Sequence, residues 1–101
     1  MHPDTDQLHK AIEQSFGRRA LLIGIRNVSE HFDGETVWEG LVHVFVLNKR
    51  PEAVDAYAWT SPIEGDRKRR IYTVLGKPPI KSAADAVRAA IVAEHKNKPT
   101  A

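Results

Sequence analysis

Leu8, Ile12 and Phe16 recur at every fourth position with Ala11 beside them, one apolar stripe on an otherwise polar stretch. That spacing predicts an amphipathic helix over Thr5–Phe16. Asp4, Thr5 or Asp6 supplies an acceptor for the orphan N–H groups at its start. Gly17 suits the left-handed turn with which helices end. The pattern then changes. Ala20–Val28 (ALLIGIRNV) is dense in Leu and Ile and interrupted by glycine, which predicts a strand. Leu21, Ile23 and Ile25 share one face of it, and Leu22, Gly24, Arg26 and Val28 the other. Asp33-Gly34 predicts a reversal, because both residues accept positive φ. Thr36–Leu47 (TVWEGLVHVFVL) predicts a second, longer strand. Trp38, Val42, Val44 and Val46 form its apolar face, and Glu39, Leu41, His43, Phe45 and Leu47 a mixed one. Gly40 marks a bulge or bend.

Arg50–Val54 predicts a turn with Pro51 at its first position. A third strand is predicted over Ala56–Thr60, a loop over Ser61–Asp66, and a fourth strand over Arg69–Leu75. Gly76 and the pair Pro78-Pro79 end it, since proline removes ladder donors. Ala84, Val87, Ala90 and Ile91 mark a last helix over Ala83–Lys96, opened by Ser82-Ala83-Ala84-Asp85 in capping-box form. The expectation is one α+β domain over residues 1–101, with ends at about 1–4 and 97–101 frayed. Its order is α-β-β-β-β-α. An antiparallel sheet of three to four strands carries both helices on one face, a two-layer sandwich. The other sheet face is then open, or covered by a second subunit.

Charge adds a second pattern. Met1–Asp66 holds six Lys/Arg and eleven Asp/Glu, a net of −5, while Arg67–Ala101 holds nine against two, a net of +7. The change begins at Arg67-Lys68-Arg69-Arg70. With Lys77 and Lys81 these residues are the candidate site for an anion or a nucleic acid. The alternative is a solvated strand edge whose charges discourage aggregation. The aromatic residues Trp38, Phe45, Tyr57, Trp59 and Tyr72 fill a core, or form a stacking or dimer surface on the open sheet face. Tyr57, Trp59, Phe45 and His43 are the candidates for that surface.

Catalytic templates are missing from the sequence. It has no G-x-S-x-G, no phosphate-binding glycine loop and no H-E-x-x-H. None of the five histidines, His2, His9, His31, His43 and His95, has a metal-ligand spacing. No cysteine is present, which excludes disulfides, thiolate zinc sites and a thiol nucleophile. No metal, cofactor or catalytic residue is therefore expected. The polar, acidic start is unlike a signal peptide. Apolar runs of four residues, Ala20–Ile23 and Val44–Leu47, are too short for a membrane. A cytoplasmic location follows as the expectation.

Two resemblances bear on context. Val37-Trp38-Glu39-Gly40, Tyr57-Ala58-Trp59 and Ala86-Val87-Arg88-Ala89-Ala90-Ile91 resemble small bacterial proteins described only as uncharacterised, a likeness covering residues 37–91. It implies a bacterial, cytosolic setting and no function. The helix–sheet–helix order resembles a double-stranded-RNA-binding domain. That family sets a lysine cluster at the start of its second helix, where Lys77 and Lys81 match and Asp85 departs from the pattern. The leading expectation is a small non-enzymatic binding module that self-associates or takes a protein partner. A nucleic-acid-binding domain with a basic edge at 67–81 is the second, and an enzyme acting on an anionic metabolite the third.

Overall fold

The computed structural model describes residues 4–47, 54–62, 69–77 and 79–97. Its elements are α1 (Thr5–Phe16), β1 (Ala20–Phe32), β2 (Glu35–Leu47), β3 (Val54–Pro62), β4 (Arg69–Leu75) and α2 (Ala83–Asn97). The expected turn at 50–54 lies largely outside the described residues, as do most of the loop at 61–66 and the ends 1–3 and 98–101.

Each helix end has a chemical reason. α1 stops at Gly17, whose φ of 64° lets its N–H reach the Glu13 carbonyl at 2.8 Å. Asp4 precedes α1 but makes no side-chain cap. Its carboxylate accepts from the Thr60 hydroxyl instead, at 3.3 Å. Two side-chain acceptors open α2, Ser82 and Asp85. The Asp85 N–H donates to Ser82 Oγ at 3.2 Å, and the Lys81 N–H donates to Asp85 Oδ2 at 3.0 Å.

The four strands form one antiparallel sheet in the order β1-β2-β3-β4. β1 and β2 meet in a two-residue turn at Asp33 (φ 52°) and Gly34 (φ 79°), a primed hairpin turn. They pair down to that turn, so both strands outrun the predicted lengths. Gly40 sits in regular register opposite Val28, so it is neither bulge nor bend. It leaves space for the Trp38 ring, which a Cβ there would approach to 2.9 Å. Irregularities fall at Val37, skipped between Trp38 and Thr36, and at Ile23, where the register skips from Leu22 to Gly24. One extra residue swaps the faces on its two sides. Leu22 therefore shares a face with Phe45, whereas Val28 shares one with Val42.

The α+β class, the element order and the antiparallel sheet are as the sequence predicts; the layering differs. Val28, Val42, Val44, Tyr57 and Trp59 pack with Ala83, Ala86 and Val87 of α2. Phe45, Leu47, Ala56 and Ala58 pack with Leu8 and Ile12 of α1. These sets alternate along β2 and β3, so the helices lie on opposite faces and the sheet is the middle of three layers. β3 explains this. Ala56-Tyr57-Ala58-Trp59 is apolar at every position and buried throughout, and a strand apolar on both sides needs cover on both.

Candidate functional site: a polar cleft in the forked sheet

The layering removes the expected open aromatic surface. Tyr57 and Trp59 lie under α2, while Phe45 and His43 lie under α1, and all four are buried. Trp59 meets Trp38 edge-on at 6.2 Å and stacks on Tyr72 at 5.4 Å, so these rings pack against each other. Burial, then Asp55 and Asp85, hold the Tyr57 phenol above its usual pKa. The basic set is dispersed as well. Arg69 and Arg70 are exposed at the start of β4; Lys77 and Lys81 are exposed beyond its end. A strand of seven residues separates them, roughly 20 Å at 3.3 Å per residue. Arg67 and Lys68 lie outside the described residues. On the edge strand the two arginines are placed as edge-guarding charges are.

What the structure brings together is a different set. β2 pairs with β3 only from His43 to Leu47, opposite Val54 to Ala58. Beyond that, residues 35–42 pair with β1 alone and 59–62 with β4 alone. The sheet forks there into two hairpins, and His43 is the last residue of β2 paired with β3. Pro62 stands on the β3 prong and cannot donate to a ladder. A cleft of about 120 Å³ opens at the fork. Asp4 and Leu8 line it from α1, Trp38, Glu39, Gly40, Leu41 and His43 from β2, Thr60 from β3 and Arg69 from β4.

Its inner end is polar and fixed. His43 is fully buried, and its Nε2 lies 2.9 Å from the Thr5 hydroxyl, in a bond whose direction the tautomer sets. The His43 ring lies 6.3 Å from Phe45, which stacks on His9 at 5.6 Å. His9 Nε2 in turn approaches the Ala20 carbonyl at 2.7 Å, and Glu13 accepts from the Ala20 N–H at 2.9 Å. At the mouth, Arg69 Nη2 donates to the Thr60 carbonyl at 3.4 Å and the Thr60 hydroxyl to Asp4 at 3.3 Å. The guanidinium, a carboxylate and a hydroxyl are thus held along one wall.

Thr5 beside His43 is a hydroxyl at an imidazole, the geometry of an activated nucleophile. Thr5 is only 6% exposed and His43 is fully buried, so the pair lies below the surface. The arrangement suits holding a small polar molecule at the mouth. Among the described residues no group of three or more His, Asp or Glu is placed to hold a metal ion.

Sequence reasoning did not single out Asp4, Thr5, Glu39, Leu41 or Thr60 as site residues. One signal was available: His43 interrupts the run Leu41–Leu47 (LVHVFVL), a titratable ring on a strand otherwise built for a core. Comparison with known proteins finds no match to any family model, curated protein or solved structure. No helix among the described residues is long and apolar enough to cross a membrane.

Proposed function

We propose that the protein is a small non-enzymatic binding module, and that the fork cleft is its site. The ligand is a polar molecule of amino-acid size, with an anionic group for Arg69 and a cationic or N–H donor group for Asp4 and Glu39. The observation that carries this reading is the fork itself: it places both signs of charge around a cavity lined by His43, which Thr5 holds from behind. Burying such groups where Val and Leu would pack costs stability, which favours a role beyond folding. The cleft has room for several water molecules, and so for a small zwitterion. A cytoplasmic setting, suggested by a cysteine-free chain, goes with this reading.

A ligand of about six heavy atoms is limited to roughly 1.5 kcal/mol per atom, so dissociation constants from about micromolar to millimolar are the range to search. The test is a proton–nitrogen NMR titration with small amino acids, using acetate and methylammonium as half-ligands. The expected result is movement of the Leu41, His43 and Thr60 amides by the whole zwitterion more than by either half. Arg69→Ala abolishes it. The proposal fails if no probe moves those amides at about 50 mM, or if Arg69→Ala responds as the parent does.

A further inference from the structure

α2 is apolar on more sides than the sheet uses. Ala83, Ala86 and Val87 are buried against the sheet, and Ala90 and Ile91 pack beside them. The outer side still carries Ala89, Val92 and Ala93, with Val92 47% exposed. A helix with apolar residues beyond one face normally has a second neighbour. Among the described residues this chain supplies none. Pro79, Ile80, Asp85, Arg88, Ala89, Val92 and Ala93 instead line a shallow groove, the larger part of whose surface is apolar.

We propose that this groove is the contact surface of a homodimer, two copies joined through antiparallel α2 helices. The argument for a second copy is self-complementary charge. A two-fold interface places residue i against residue j and j against i, so it must match itself. The groove runs from Pro79 to Ala93, with its midpoint near Ala86. A two-fold axis there sets Asp85 opposite Arg88 of the partner copy, and Arg88 opposite its Asp85. The same operation sets Ile80 against Ala93, and Ala89 is a small residue lining the same groove. Arg88 is positioned for this. Glu30 holds the guanidinium through Nε at 3.4 Å and Nη2 at 3.3 Å, while 63% of the side chain stays exposed. Asp85 is oriented by the Lys81 N–H. One helix face is a small interface, so association is weak and appears at high protein concentration. The proposal is independent of the cleft, which shares no lining residue with the groove.

The experiment is sedimentation equilibrium between about 10 and 500 μM, with circular dichroism checking the fold of each variant. The parent chain is expected to pass from monomer to dimer across that range, and Ala89→Arg to stay monomeric. Asp85→Arg leaves two cations on the face, and Arg88→Asp leaves two anions. Each alone is expected to associate about tenfold more weakly. Mixed together they restore dimer, because each cation then meets an anion across the axis. A misfolded variant cannot be rescued by mixing, so rescue separates lost pairing from lost structure. A parent chain monomeric at 500 μM overturns the proposal. So does an Ala89→Arg variant that dimerises like the parent, or a mixture that associates no better than its components.

Discussion

Thr5 stands in the first turn of α1, where a hydroxyl usually faces solvent or caps the backbone. Here it is buried against Nε2 of His43. Thr5→Val keeps the shape and takes away the hydrogen bond, so it is expected to lower stability by about 1–3 kcal/mol. Thr5→Ser keeps the hydroxyl, gives up one methyl group and is expected to lose less. Urea unfolding of the three chains reads the difference, and equal midpoints for Val and the parent would contradict it. His43 itself was visible in the sequence as an oddity and was read as a surface or interface residue. Its pairing partner stands 38 positions away, and no local spacing reveals a hydrogen bond of that range.

At the scale of elements, the join between β4 and α2 depends on Gly76. Its N–H donates to the Asp55 carbonyl at 2.7 Å, and a Cβ there would lie 2.8 Å from that oxygen and 3.1 Å from the Tyr57 ring. The oxygen belongs to backbone, so it yields only if β3 moves. Gly76→Ala is expected to destabilise by roughly 1–3 kcal/mol, measured as a lower thermal midpoint. An unchanged midpoint would show that the strand end gives way freely. Elements of this kind were largely legible in the sequence. α1 was foreseen over its full length because a fourfold stripe and a terminal glycine agree, and the Asp33-Gly34 hairpin because its turn chemistry is specific. The bulge at Ile23 was not, since LLIGI is apolar in either phase. The opposite placement of the helices was not either. Periodicity tells which residues share a face, and says nothing about which element covers it. The mixed face of β2 looked fit for solvent, yet Phe45 and Leu47 suffice to seat α1. The cleft was out of reach for a related reason: it exists because two hairpins part, and parting leaves no mark on either strand's alternation.

Across the whole molecule, the acidic and basic portions of the chain interleave. Arg88 of α2 reaches back to Glu30 of β1, and Arg69 of β4 shares the cleft with Asp4 and Glu39. The net charges of −5 and +7 therefore describe the order of the chain better than its surface. The fork divides backbone protection in the same uneven way. Residues 43–47 and 56–58 have a partner strand on both sides, and residues 35–42 on one side only. Native-state hydrogen exchange is expected to be at least about tenfold slower in the first group. Equal protection of Leu41 and Val44 would mean that β2 and β3 stay zipped past His43. Strand order carries one more consequence. Neighbours in the sheet are neighbours in the chain, so synthesis delivers each strand beside the one just made. α1 has its seat as soon as β3 emerges. The other side waits for the end of the list: Val44, Tyr57 and Trp59 stand bare until α2 arrives. For that interval the nascent chain shows an aromatic surface to everything around it, and the helix made last is the one that withdraws it.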